Sequence, residues 1–270
     1  MPEASVIPDI SEVRAGVLSR VGARVDHLYH ALVRRRFARI ARALGAYTEP
    51  GGVILDVGAN HGRFAKHLGA LHGGACRVYA FEPLAYNRAV LRVAVGRQKN
   101  VTIVPVALSS EGGRTELFVP YKAGSRRLTH GSAHLGDRSS GVAFGTRTAP
   151  DVCRAVIETV RLDDWAAEAG LTRLDLMKID VEGAEPLVIE GGLGAIGRFR
   201  PAIYAELIPG MPERVGRTVE DVIGPLRGLG YEMRACDERG GVGERLEGWA
   251  EGVRDYLFVH PAARPPDLRG

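Results

Sequence analysis

Cysteine is scarce in this chain, long apolar runs are missing, and aromatic residues make up only 6% of it. Each shortage removes a class of protein. The three cysteines, Cys76, Cys153 and Cys236, are odd in number and far apart. That pattern excludes a disulfide scaffold, offers no metal cluster and suggests a reducing cytoplasm. No stretch approaches the roughly 18 consecutive apolar residues of a membrane span. Met1 to Ile10 carries Glu3 and Asp9 and has no apolar core, so it does not read as a signal peptide. A cytoplasmic location without a transmembrane segment is the resulting expectation. What remains is 45% hydrophobic and 25% charged over 270 residues. That is the composition of an ordinary globular protein, large enough to enclose a ligand site.

An excess of one charge is also nearly absent. The net charge is +4, and residues 1–42 hold eight arginines against Glu3, Asp9, Glu12 and Asp26. The whole excess therefore lies in the N-terminal segment, and the rest of the chain is neutral. A nucleic-acid-binding main domain would need a basic face, so no nucleic-acid partner is expected. Sparse aromatics among the arginines further disfavour single-stranded nucleic acid.

Residues 9–44 have apolar positions at helical spacing: Val13, Val17, Val21, Val25, Leu28, Leu32, Phe37, Ile40 and Leu44. Gly45 supplies a stop. Arg34, Arg35, Arg36, Arg39 and Arg42 fall mostly off that stripe, as a solvated face would. Such a helical arm, residues 1–45, would pack on the main domain or on a second copy in a homo-oligomer. Its arginines could alternatively meet an anionic substrate or membrane headgroups.

From Gly51 the pattern alternates between strands and helices. Apolar strands are expected at 53–57, 77–81, 101–106, 174–179, 202–207, 231–235 and 255–259. Helices between them, buried strands and short turns predict an α/β sandwich with a mostly parallel, seven-stranded sheet. One region breaks the rhythm. Thr115–Val119 and Ala155–Val160 suggest an antiparallel insertion, with residues 121–150 between them as a lid or acceptor loop. The main domain would run from 46 to 260, and 261–270 would be a loose tail.

Three strand ends carry the chemistry. The first is Val53-Ile-Leu-Asp-Val-Gly-Ala-Asn-His-Gly62, a strand that turns through glycines into a helix. In open α/β sheets ligands lie beyond the carboxyl ends of the strands. The spacing is not the G-x-G-x-x-G of a dinucleotide site, which disfavours an NAD(P)-type oxidoreductase. Asp56 before the turn suits the amino group of S-adenosylmethionine better than a pyrophosphate. The second is Val78-Tyr-Ala-Phe-Glu-Pro83, where Glu82 could accept hydrogen bonds from ribose hydroxyls. The third is Leu176-Met-Lys-Ile-Asp-Val-Glu-Gly-Ala-Glu185. Asp180 and Glu182 share parity, and carboxylates at a strand tip suit proton removal, a divalent ion or a hydroxyl pocket. Glu185 reads as a helix-capping acid, and Lys178 as an ion-pair partner.

Together these segments resemble the FkbM-type methyltransferase family. The likeness rests on Leu-Asp-Val-Gly-Ala-Asn-His-Gly at 55–62, Phe-Glu-Pro at 81–83, Val-Pro-Val-Ala-Leu-Ser at 104–109 and Lys-Ile-Asp-Val-Glu-Gly-Ala-Glu at 178–185. It implies a Rossmann-like, class I methyltransferase sandwich using S-adenosylmethionine. It further implies O-methylation of a hydroxyl on a small-molecule natural product, sugar or glycan. Asp56, Gly58, Ala59, Asn60 and Gly62 would line the methionine end. Glu82 and Pro83 would meet the ribose, Val106 and Ala107 the adenine, and Asp180 the transferred methyl. His61 departs from the apolar or small residue common at its position.

A hydroxyl needs its proton removed before it attacks a methyl group. Asp180 is the first candidate base and Glu206, at the tip of the fifth strand, the second. His134 and His130 of the 121–150 loop are rivals that a closing lid could deliver. Mg²⁺ held by Asp180 and Glu206 is a further, weakly supported expectation. A non-catalytic protein acting through the basic arm is the remaining alternative. The strand-tip acids argue against it.

Overall fold

The structure is a computed structural model, and it describes residues 9–10, 35–122, 127–128, 133–136, 151–237 and 239–263. Most of the arm, most of the 121–150 loop with His130, and residues 264–270 lie outside the described residues. The expectations placed on them rest on sequence alone.

The main sheet contains β1 (Val53–Val57), β2 (Arg77–Phe81), β3 (Val101–Val104), β8 (Leu176–Ile179), β9 (Ala202–Glu206), β10 (Glu232–Cys236), β11 (Val242–Leu246) and β12 (Asp255–Val259). Their order is β11-β10-β12-β9-β8-β1-β2-β3. The five strands from β3 to β9 are parallel, and β12 enters antiparallel beside β9. The order reverses between β1 and β8, which makes this the switch point where an α/β sheet opens a crevice.

The mostly parallel, Rossmann-like α/β sandwich is as the sequence led one to expect, but the sheet has eight strands among the described residues, not seven. The extra strand, β11, is Val-Gly-Glu-Arg-Leu on the sheet edge, largely exposed on both faces. Four of its five residues are exposed and only Leu246 reaches the core, so its sequence shows no apolar alternation.

Strand parity divides the core. Val53, Leu55 and Val57 face one side, with Met177, Ile179, Ile203 and Ala205. That side is covered by α4 (Leu162–Glu168), α5 (Glu185–Glu190), α6 (Leu193–Phe199) and α7 (Glu220–Gly228). Ile54, Leu176, Ala202, Tyr204 and Leu257 face the other side. There they meet α1 (Arg35–Leu44) and α2 (Ala65–Leu68), while α3 (Ala85–Val95) packs nearby through Leu91 and Val95. Ile40, Ala41 and Leu44 of α1 are buried in this layer. The described end of the arm therefore spends its apolar stripe on the domain itself.

A second sheet, ordered β4-β7-β5-β6, contains β4 (Ala107–Leu108), β5 (Gly113–Lys122), β6 (Arg127–Leu128) and β7 (Asp151–Val160). It contains the expected antiparallel insertion, with β5 and β7 in register from Gly113↔Thr159 to Tyr121↔Asp151. The expected strand 101–106 stops at Val104, and Ala107–Leu108 crosses to the small sheet to pair with Thr159 and Val160. Leu117, Val119, Cys153, Ala155 and Ile157 form the small sheet's own apolar cluster, with Leu84 of the main domain. No helix among the described residues is long and apolar enough to cross a membrane.

Candidate active site

The register of the main sheet builds two rows of side chains on the face that carries α1. Asp56 pairs with Lys178, and Lys178 with Tyr204, across three adjacent parallel strands. Two residues further along, alternation returns the chain to the same face at Asp180 and Glu206. Because β12 runs the other way, its first residue, Asp255, lies directly opposite Glu206. The carboxyl edge thus holds three carboxylates side by side.

Like charges opposite one another in a sheet repel. Each carboxylate here has a cation beside it, and the one beside Asp180 is shared with Asp56. Asp180 has Lys178 at 3.7 Å, Glu206 has Arg254 at 2.7 Å, and Asp255 has Arg36 of α1 at 3.1 Å. Tyr204, almost fully buried below this row, shares the cavity wall with Asp255.

These groups line a cavity of about 280 Å³ beyond the strand ends. Its walls include the Gly58 turn, Glu82, Asp180, Tyr204, and Phe37 of α1. Leu117, Ala133, Leu135 and Ile157 of the insertion form an apolar roof. The Gly58 turn must be glycine. Its φ is +75°, and a Cβ there would meet the Asp180 carbonyl oxygen at 2.0 Å. Asn60 follows at φ +49°, a left-handed conformation that asparagine tolerates.

Glu82, only 4% exposed, is held by three donors. The Asn60 N–H donates to one carboxylate oxygen at 2.8 Å, and the Leu84 N–H and Asn87 Nδ2 donate to the other at 2.9 and 3.1 Å. Burial pushes its pKa up to about 7 against those bonds. Glu182 adopts φ +56° on the cavity wall. Burial, then the charges of Asp180 and Glu206, raise it to about 9. Glu206 rises to about 7 by burial and then by Asp180. Glu185 caps the turn before its helix, accepting from the Val181 N–H at 2.9 Å and the Gly183 N–H at 3.3 Å. Burial lifts it to about 7.

Each of these acids has a folded pKa above its unfolded value near 4.5. The folded state holds their protons more tightly, so their contribution is fully present below pH ~4.5 and fades as pH climbs through about 7 and 9. The ligand-free protein is expected to melt at a higher temperature at pH 6 than at pH 9. Scanning calorimetry across that window checks the sign, and a higher melting temperature at pH 9 would contradict it.

Of the residues singled out from sequence, Gly58, Ala59, Asn60, Glu82, Pro83, Ala107, Asp180 and Glu206 line the cavity. Asp56, Gly62, Val106 and His134 are not among its lining. Asp56 is completely buried behind the turn, 3.1 Å from Lys178. Gly62 packs against α3, where a Cβ would meet Leu91 at 2.5 Å. Val106 joins the core on the other face. His134 is 1% exposed, and its backbone exchanges hydrogen bonds of 2.8 and 3.0 Å with Phe118. Its flanking residues Ala133 and Leu135 reach the cavity in its place. His61 is buried beside Tyr86. The Mg²⁺ expectation gains no support: among the described residues no group of three or more His, Cys, Asp or Glu is placed to hold a metal ion.

Sequence reasoning missed Tyr204, Asp255, Arg36 and Asn87 on the cavity wall. Tyr204 shares parity with Glu206, a signal that was available. Asp255 needed the antiparallel pairing of β12, which the sequence does not print.

A family model described as the methyltransferase FkbM domain matches residues 56–233. The chain is 33% identical over 158 residues to 2-O-methyltransferase NoeI of Sinorhizobium fredii, covering 58% of this chain and 64% of that protein. It is 30% identical over 205 residues to 31-O-demethyl-FK506 methyltransferase FkbM of Streptomyces tacrolimicus, covering 71% of this chain and 76% of that one. A crystal structure of the methyltransferase FkbM from Methylobacillus flagellatus KT aligns with a TM-score of 0.45 at 13% identity, covering 90% of this chain and 59% of that one. The matched segment begins at Asp56, ahead of the glycine turn, and spans the β8 acids and Glu206, so this chain belongs to the FkbM methyltransferase family.

Proposed function

We propose that this protein transfers a methyl group from S-adenosylmethionine to a hydroxyl of a small-molecule natural product, sugar or glycan, with Asp180 as the proton acceptor. Two observations support the fit of the cofactor. The Gly58 turn lines the cavity, and its packing against the Asp180 backbone leaves no room for a Cβ, so at Gly58 the wall is bare backbone. Glu82 reaches the same cavity from the neighbouring strand end, where it can accept from ribose hydroxyls. Gly58, Ala59, Asn60, Glu82, Pro83 and Ala107 would hold the cofactor. When bound, it supplies an electrophilic methyl group on a sulfonium.

The observation that carries the choice of base is the unequal grip on the three carboxylates. The side chain of Asp180 is 35% exposed and its cation stands at 3.7 Å. Glu206 is 25% exposed with its cation at 2.7 Å, and Asp255 is 10% exposed with its cation at 3.1 Å. Asp180 is the most open of the three and the most loosely paired, so an acceptor hydroxyl reaches it at least cost. Glu206 is the second candidate, since it shares the row. The insertion's apolar side chains would exclude water from the acceptor. Both named curated relatives are O-methyltransferases by name, which supports a hydroxyl as the acceptor. The soluble-enzyme, cytoplasmic reading belongs to this proposal too.

Titration calorimetry with S-adenosylhomocysteine is expected to give micromolar or tighter binding. No heat at high micromolar concentration would overturn the cofactor assignment. Incubation with S-adenosylmethionine and a panel of hydroxylated sugars and macrolides, read by mass spectrometry, is expected to add one methyl group to at least one acceptor's oxygen.

A further inference from the structure

Lys178 is 2% exposed, in the middle of the row beneath the carboxyl edge. Its ammonium donates to the Gly58 carbonyl at 2.8 Å and the Val57 carbonyl at 3.3 Å. It stands 3.1 Å from Asp56 and 3.7 Å from Asp180, and 5.5 Å from the centre of the Phe64 ring. A buried ammonium costs several kcal/mol in lost hydration and is retained only where its partners repay it. Apolar side chains fill the same layer at Ile54 and Leu176 without that cost. The partners here are unusual in one respect: two are carbonyl oxygens of the glycine turn itself.

We propose that Lys178 is a positioning residue that pre-organises the Gly58 turn for the cofactor, with Asp56 as its buried counter-ion rather than a ligand contact. The turn carries one strained residue: Gly58 takes φ +75° freely as a glycine, but Asn60 at φ +49° occupies a conformation sparsely populated by residues with a Cβ. The surroundings must over-determine such a turn, or it relaxes. Lys178 grips it from below through two carbonyls, and the Ala59 N–H is tied to the Phe81 carbonyl at 2.9 Å from the side. The Asp56–Lys178 pair then acts as one unit. The acid has no access to the cavity but keeps the ammonium charged and in place. Asp56 and Asp180 together outweigh the effect of burial and hold the Lys178 pKa above its usual value.

This inference rests on the reading that the cavity takes S-adenosylmethionine. The test separates the two. Lys178→Met alone strands Asp56 as a buried, unpaired carboxylate and is expected to unfold readily. Asp56→Asn with Lys178→Met removes both charges and is expected to melt within several degrees of the wild type. In that double variant, the calorimetric Kd for S-adenosylhomocysteine is expected to rise at least tenfold. Hydrogen exchange at the Ala59 and Gly62 amides should quicken while β1 and β8 stay protected. A stable double variant that binds S-adenosylhomocysteine like the wild type would overturn the proposal. In the wild-type protein without ligand, the same two amides are expected to be protected already. If they exchange freely until ligand is added, the turn is not pre-organised and the proposal fails, whatever the variants do. Wild-type protein that binds no S-adenosylhomocysteine would instead sink the cofactor reading.

Discussion

Asp180→Asn is expected to lower turnover by about 10²- to 10⁴-fold, the range removed with a general base. The loss should fall on kcat. The amide has nearly the volume of the carboxylate but cannot accept the acceptor's proton. The Gly58 turn meets the carbonyl oxygen of Asp180 and not its side chain, so cofactor binding should survive. The Kd for S-adenosylhomocysteine is expected to stay within about threefold of wild type, since Asp56, at 3.1 Å, remains as the nearer counter-ion of the Lys178 that holds the turn. Near-normal turnover with intact binding would pass the role to Glu206, and Glu206→Gln is the matching comparison. Loss of both binding and turnover would place Asp180 in the cofactor site and not at the acceptor.

The second large effect is Gly58→Ala. An alanine at φ +75° would pay about 1–2 kcal/mol for the left-handed conformation alone. Its Cβ would also lie 2.0 Å from the Asp180 carbonyl oxygen, which is backbone and cannot rotate away. The turn and the end of β8 must therefore separate. A total loss near 3 kcal/mol is expected, or roughly 6–12 °C in melting temperature for a domain of this size. Binding should suffer more than stability, because the displaced segment is the wall of the cavity. The expected signature is a folded protein with normal circular dichroism and no measurable heat with S-adenosylhomocysteine. Gly51→Ala is the control: its φ is +82° but nothing lies within 4 Å of the added carbon. It should lose stability and keep binding.

The sequence revealed most where local chemistry and position coincide. Apolar runs with turn signals located β1, β8, β9 and β12, which are buried on both faces, and also β2 and β10, which are buried only in part. The sequence marked Gly58 and Asn60 because the turn's backbone takes positive φ there, which glycine and asparagine tolerate. What failed was anything decided by a neighbouring strand. Asp56 looked like a ligand contact because it precedes the turn, but register sets Lys178 beside it and seals it from the cavity. Asp255 became a wall residue only once β12 was paired with β9, which sets it opposite Glu206. His134 had the right chemistry in a long loop, but a two-residue bridge to Phe118 turns its ring away from the cavity lining. The arm was expected to pack on the main domain or on a second copy, and its described end packs on the domain, with Arg36 3.1 Å from Asp255.

The small sheet leaves the main domain after β3 and returns to it before β8. Its entry and exit strands, β4 and β7, are hydrogen-bonded to each other, with Ala107 beside Thr159 and Leu108 beside Val160. The excursion is thus stapled shut at its root. The strands that hold Gly58, Glu82 and Asp180 belong to the other sheet, so the small sheet reaches them by packing, through Leu84 and the shared cavity wall, and not by a common hydrogen-bond ladder. Added loop length costs little once the ends are joined, only about 0.6 kcal/mol per doubling. Under the proposed function, the main sheet's strand ends would serve as a floor for the methyl donor, and the small sheet as a separately built roof over the acceptor.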